Sequence, residues 1–124
     1  MQANTHPEPR PSRHLRREDW ATRDAFWFGR LEGQDINAHV TVLFYSTEEV
    51  GAGPPLHVHD YDELFIIRSG SAAFAVGDER FTASRGDVVF GPANIPHKFE
   101  NLGPEPFETT DIHLSDHFAQ TELE

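Results

Sequence analysis

The chain has 124 residues, of which 37% are hydrophobic, and carries a formal net charge of −11 at pH 7. Its length suits one domain with a real core, and its ten phenylalanines are typical of a folded protein rather than a disordered one. The negative charge argues against a nucleic-acid partner, because duplex binding depends on Lys and Arg side chains that neutralise phosphates.

The first segment, residues 1–25, is predicted to be a flexible arm. Its opening, MQANTHPEPRPSRHLRRED, is polar and proline-rich and has no apolar periodicity. Residues 1–30 carry six basic and four acidic side chains, whereas residues 31–124 carry four basic and seventeen acidic ones. The arm is therefore either a solvated tail or a basic segment that lies on an acidic domain, its own or a partner's.

Several cellular settings are disfavoured by what the sequence lacks. No apolar run approaches the roughly 20 residues that span a bilayer, and the N-terminus lacks the apolar stretch of a signal peptide. We therefore expect no membrane partner and a cytoplasmic protein. Cysteine is absent, which excludes disulfides and thiolate ligands, so any metal would be held by nitrogen and oxygen.

From residue 26 to residue 115 the sequence has the pattern of β-strands. Eight short segments rich in aromatic and β-branched residues are separated by turn signals at spacings of about 8–12 residues. In chain order they are FWFGRL, AHVTVLFY, ELFIIR, AAFAV, RFTA, VVF, HKFEN and FETTDIHL. This pattern predicts an all-β domain over residues 26–115, either a sandwich or a barrel, followed by a C-terminal tail over residues 116–124.

Two of these segments, ELFIIR and VVF, are apolar on both faces. A strand of this kind is covered on its outer side as well as its inner side, by a second sheet or by another subunit. We therefore predict a homodimer.

The stretch GAGPPLHVHDYDELFIIRSG, residues 51–70, suggests a metal site. Alternate residues of a strand share a face, so His57 and His59 project together. Glu63 follows a short polar turn and is expected on the neighbouring antiparallel strand, while His97 begins a later strand. Three imidazoles and a carboxylate suit one divalent transition metal, namely Fe, Mn, Ni, Cu or Zn. A bare His-x-His pair is weak evidence, because histidines are frequent here and the pair could be ordinary strand sequence.

The spacing around these residues resembles two motifs of the cupin superfamily. Residues 51–70 resemble the first, G-x5-H-x-H-x3-E-x6-G, and the stretch GDVVFGPANIPHKFEN resembles the second, G-x5-P-x-G-x2-H-x3-N. Asn94 stands where the second motif has a glycine, and asparagine is the residue next best suited to a left-handed turn. The resemblance covers roughly residues 35–115.

The resemblance implies a small barrel, the double-stranded β-helix, in which His57, His59, Glu63 and His97 converge on a metal. It also implies that Asn101 anchors backbone near the site. No particular reaction follows from it, because this superfamily hosts many.

Alternation also bears on other residues near the predicted site. His113 and Asp111 share one face of their strand, which we expect to face solvent; if that face is the barrel interior, both approach the pocket. Tyr61 is expected at the surface, with the rim of the site as the alternative. The same alternation predicts that the barrel is lined by five apolar side chains: Phe65, Ile67, Phe74, Phe90 and Phe99. Such an interior favours a small, partly apolar ligand or substrate.

The sequence supports two classes of function. One is a metal-dependent enzyme of the non-haem dioxygenase type, in which Glu63 also acts as a base; an isomerase or decarboxylase is the nearby variant. The other is a non-catalytic module that binds a small ligand. No helix-turn-helix pattern precedes the barrel segments, which weakens an interpretation as a transcription regulator.

Overall fold

A computed structural model describes residues 9–124 as two five-stranded antiparallel sheets. The elements are the helix α1 (Arg17–Trp20), a 3₁₀ helix (Gly33–Ile36), and strands β1 (Gly29–Leu31), β2 (Thr41–Thr47), β3 (His57–Val58), β4 (Glu63–Ser69), β5 (Ser71–Val76), β6 (Glu79–Ser84), β7 (Val88–Gly91), β8 (His97–Asn101), β9 (Phe107–His113) and β10 (Thr121–Glu122). The predicted all-β class is confirmed. Within residues 9–124, no helix is both long and apolar enough to cross a membrane.

The strand order is β1-β2-β9-β4-β7 in the first sheet and β10-β3-β8-β5-β6 in the second. Each of the eight predicted segments overlaps one of the observed strands. The two additional strands, β3 and β10, have only two residues each and pair with one another. β3 lies at the histidine pair, where a strand was assumed, whereas β10 is too short to leave an alternating pattern in the sequence and was not predicted.

The core lies between the sheets and is rich in phenylalanine. Four of the five side chains predicted to line the barrel are buried there: Phe65, Ile67, Phe74 and Phe99. The prediction is wrong for Phe90, which is 53% exposed. In the β4–β7 register Phe65 pairs with Val89, which turns Val89 inward and Phe90 outward.

Contacts with the barrel extend beyond residues 26–115 at both ends. Trp20 stacks on Phe44 with ring centroids 3.6 Å apart, and Ala21 forms a bridge with Gly29. Residues 116–124, expected to be a tail, contain β10, which extends the second sheet through β3. Of the predicted flexible arm, residues 1–8 lie outside the described part of the chain.

Candidate metal centre

The four predicted ligands come together inside the barrel. His57, His59, Glu63 and His97 are all buried, and one ligand atom from each lies within 4.8 Å of the others. This cluster could hold one metal ion, as the sequence spacing suggested.

The two sheets contribute different members of the cluster. His57 pairs directly with His97 across β3 and β8 of the second sheet. Glu63 opens β4 in the first sheet, where its cross-strand partners are Gly91 and His113. The expectation that Glu63 lies on the strand next to the histidine pair is therefore wrong. The turn after His59 carries the chain to the opposite sheet, from which the carboxylate faces the imidazoles.

Backbone carbonyls fix the same tautomer in three histidine rings. The Nδ1 atoms of His57, His59 and His97 contact the backbone oxygens of Pro55, Ala119 and Ile95 at 2.8, 2.6 and 3.3 Å. A carbonyl oxygen only accepts, so each Nδ1 donates its hydrogen, and in the neutral ring each Nε2 presents a lone pair to the centre. This is the arrangement that a metal-ligating histidine requires.

The lone pairs at the centre face one another and fit a cation. Nε2 of His59 and of His97 lies 3.1 and 3.2 Å from Oε1 of Glu63. The buried Glu63 Oε1 and His97 Nε2 nevertheless have no well-aligned hydrogen bond. Acceptors held this close repel each other unless a positive charge lies between them, and buried polar atoms rarely stay without a partner. The residues present therefore fit a divalent metal.

The protonation states also suit metal binding. Burial lowers the pKa of His57 to about 4, so this ring is neutral at pH 7. Burial opposes ionisation of Glu63, but contacts with His113, His59 and His97 outweigh it and hold the pKa of Glu63 well below its usual range. For His59, burial opposes the charged ring, yet the Glu63 carboxylate prevails and raises its pKa. A proton and a metal thus compete for the same place at His59.

His113 and Tyr61 belong to the centre, contrary to both predictions. His113 is 1% exposed and its Nε2 lies 3.1 Å from Glu63 Oε2. Its Nδ1 lies 2.7 Å from the hydroxyl of Tyr61, which is itself only 9% exposed and stacks on the ring of His59. If the hydroxyl donates to Nδ1, the hydrogen of His113 is on Nε2, on the side of the ring that faces Glu63 Oε2, although this contact is not a well-aligned hydrogen bond. His113 is then a positioning residue for the Glu63 carboxylate.

Asp111 is likewise buried rather than solvent-facing. Its Oδ1 accepts a hydrogen bond of 2.6 Å from the hydroxyl of Thr109, and the residue borders the cavity beside the cluster. Burial, followed by the charge of Glu63, raises the pKa of Asp111 well above its usual range. A neutral carboxyl group at this place can donate a proton or a hydrogen bond.

The glycine and asparagine positions of the two motifs shape or hold the backbone around the site. Gly51, Gly70 and Gly86 all have positive φ, at 88°, 77° and 93°, a region that favours glycine. Asn94 has φ 66°, so the asparagine at the motif's glycine position keeps the left-handed turn, as expected. Asn101 is 1% exposed and its side chain bonds to backbone, donating to Glu49 O and accepting from Gly103 N.

A cavity of about 300 Å³ opens beside the cluster and shares His57, His59 and Glu63 with it. Aromatic side chains form much of its wall: Phe28, Tyr45, Phe65, Phe99 and Phe118. Its volume is at the small end of the roughly 300–1,000 Å³ typical of ligand pockets. The site can therefore accommodate a small, partly apolar molecule next to the predicted ligands.

Comparison with known proteins gives matches to relatives and to solved structures. The chain is 33% identical over 60 residues to an uncharacterised protein of Methanocaldococcus jannaschii, a match that covers 48% of each chain. It is 40% identical over 47 residues to an uncharacterised protein of Streptomyces coelicolor, covering 38% of this chain and 45% of that one. The matches thus span about half the length of these curated relatives.

Among solved structures the chain resembles oxalate decarboxylase of Bacillus subtilis, an enzyme with Mn(II) centres. The TM-score is 0.70 at 26% identity, and the match covers 77% of this chain but 27% of the enzyme. The sequence profile of the cupin domain matches residues 44–113, more than half of the chain and all four clustered residues. The fold, the motifs and this match together show that the chain belongs to the cupin family.

Proposed function

We propose that the protein binds one divalent transition metal through His57, His59, Glu63 and His97. We further propose that it is a metal-dependent enzyme acting on a small, partly apolar substrate in the adjacent cavity. The observation that carries the proposal is the convergence of imidazole lone pairs and an ionised carboxylate on one buried point. Three nitrogen ligands and one oxygen ligand accept Fe, Mn, Ni, Cu or Zn, so the identity of the bound metal depends on which metals the cell supplies as well as on the site.

The reaction class proposed first is oxidation by molecular oxygen, as in a non-haem dioxygenase. A bound metal of this kind supplies open coordination positions and Lewis acidity next to the substrate. Glu63, ionised at neutral pH and 3.1 Å from His113, is proposed to serve also as a base. The aromatic wall of the cavity excludes water and holds the apolar part of the substrate.

A redox-neutral decarboxylation is the second candidate, and one observation favours it. Asp111 borders the cavity and its pKa is raised well above the usual range, which favours its protonated form, and the loss of CO₂ from an acid leaves a carbanion that needs a proton. The solved structure of oxalate decarboxylase that the chain resembles agrees with this alternative.

Oxygen uptake and CO₂ release separate these reactions. Protein loaded with Fe(II) or Mn(II) would be offered phenols, flavonoids, diketones and small carboxylic acids. Oxygen consumption supports the dioxygenase, whereas CO₂ release without oxygen supports the decarboxylase. If neither occurs in protein that retains its metal, the site is a non-catalytic ligand-binding module. His57→Ala should lose activity, and His117→Ala, which changes an exposed histidine, should keep it.

We also propose that the outer face of the first sheet joins two copies of the chain. Two cross-strand rows on this face carry no charge: Val42–Ile112–Leu64–Phe90 and Phe44–Thr110–Ile66–Val88. Trp20 and Trp27 of the same chain cover Phe44 and Thr110, so the open part of the face lies toward β4 and β7. Val88 is 59% exposed and Ile66 is 41% exposed. A net charge of −11 makes two copies repel each other elsewhere, so an uncharged apolar face is the surface that suits self-association.

Light scattering after size-exclusion chromatography tests this assembly. The wild type should be a dimer and Phe90→Asp a monomer, while Phe81→Asp, on the other sheet, should remain dimeric. A monomeric wild type at micromolar concentration would contradict the proposal.

A further inference from the structure

Arg30 is a solvent-exposed residue of β1 that borders the open side of the cavity. In the β1–β2 register it pairs with Leu43, and residues directly opposite each other on antiparallel strands share a face. Both residues border the cavity that contains the proposed metal ligands. Apart from the histidines, Arg30 is the cationic side chain in this wall.

The guanidinium of Arg30 forms no ion pair with a carboxylate of residues 9–124. The nearest acid in sequence on the same side, Glu32, instead accepts a 2.8 Å hydrogen bond from the backbone N–H of Phe118. Within residues 9–124 Arg68 is the only arginine that pairs with a carboxylate, so what distinguishes Arg30 is its place in the cavity wall. It presents five N–H donors in a planar fork that matches a carboxylate.

An aromatic ring holds this fork in place. The Cζ atom of Arg30 lies 4.7 Å from the ring centroid of Phe118, a cation–π distance. Phe118 also borders the cavity and packs near the rings of His59 and His113. The charged group and the apolar wall are therefore adjacent parts of one surface.

We propose that Arg30 binds the carboxylate of a small aromatic or similarly apolar carboxylic acid, whose apolar body lies in the cavity. This inference rests on the proposed function for placing the substrate there, and it names the substrate's chemical class. It also makes Arg30 the residue that discriminates an acid from its neutral analogue.

Benzoate and benzamide are suitable probes, because they have nearly the same shape and differ in charge. Binding would be measured by calorimetry or ligand-detected NMR on metal-loaded protein, and again after chelation, with metal content determined on each sample. A charged bidentate contact should make wild-type protein bind benzoate about 10-fold more tightly than benzamide. Arg30→Gln should abolish this preference, and Arg30→Lys should keep part of it. The matched control is Arg85→Gln, which removes the same charge from an exposed position outside the cavity wall and should keep the preference.

Two results would overturn the inference. One is a wild type that binds benzamide as tightly as benzoate; the other is an Arg30→Gln variant that retains the preference for benzoate. In either case Arg30 serves only to protect the edge strand β1 from pairing with other chains. Failure of the proposed function is a separate outcome, because it would appear as absent metal in wild-type protein whichever probe binds.

Discussion

Replacement of Tyr61 by phenylalanine tests how the centre is held together. The hydroxyl contacts His113 Nδ1 at 2.7 Å and Ala119 O at 3.0 Å. Ala119 O would keep its 2.6 Å bond from His59, and the Phe ring would keep the stacking on His59. The groups that lose a partner are the buried His113 Nδ1 and the backbone N–H of Ala119, whose bond to the hydroxyl is longer, at 3.3 Å. Such a loss costs about 1–3 kcal/mol of folding free energy.

Tyr61→Phe should affect metal affinity more than folding stability. Without the hydroxyl, His113 is free to place its hydrogen on Nδ1 and to present a lone pair to Glu63, which weakens the orientation of that ligand. Loss of an outer partner of this kind typically lowers metal affinity by about 10–100-fold.

Competition with a chromophoric chelator would measure the metal affinity of Tyr61→Phe, and urea denaturation would measure its folding stability. Tyr45→Phe is the matched control, because it removes a hydroxyl at the same cavity that bonds to Thr47 rather than to a ligand of the centre. If Tyr61→Phe bound metal as tightly as wild type and Tyr45→Phe, the assigned role of His113 and Tyr61 would be refuted.

Three further predictions concern the fold and its response to pH. Phe74→Ala should lower the free energy of unfolding by about 3–5 kcal/mol because the ring is fully buried, whereas Phe81→Ala, at a 39% exposed position, should cost far less in urea denaturation. The lowered pKa of His57 means that, between pH 6.5 and about 4, the unfolded metal-free chain binds a proton that the folded one does not. The contribution of His57 to stability, measured against His57→Gln in chelator-treated protein, should therefore fall as the pH is lowered through that window, by up to about 3 kcal/mol. The pKa of Asp111 is raised, so the contribution of Asp111 to folding stability is lost as the pH rises. In thermal unfolding, Asp111→Asn should therefore be more stable than wild type at pH 8 and should lose that advantage near pH 4.

The four clustered residues were predicted because their spacing, with the glycines around them, resembles two motifs of the cupin superfamily, whereas strand alternation alone placed only His57 and His59 together. Positive φ at Gly51, Gly70 and Gly86 explains why the motif requires glycine there. Asn94 has the positive φ that the motif's glycine would have, so this departure from the motif keeps the turn. The sequence already indicated this outcome, because asparagine tolerates positive φ well.

The outer part of the centre was missed for a different reason. Alternation placed His113 and Asp111 on one face of β9, but it does not say whether that face is inside. The answer comes from long-range pairing, since β9 lies between β2 and β4 and His113 is opposite Glu63. The same long-range register turned Phe90 outward. The carbonyl of Ala119, which fixes the tautomer of His59, comes from sixty residues away and leaves no local signal.

Metal content per chain tests the central proposal most directly. Wild-type protein and the His57→Ala, Glu63→Gln and His97→Ala variants would be purified alike, loaded with Fe(II) or Mn(II), desalted and measured by mass spectrometry, with His117→Ala as a control. We predict about one metal ion per chain in the wild type and the control, and a small fraction of that in the three ligand variants. Equal metal content in wild type and ligand variants would contradict the account.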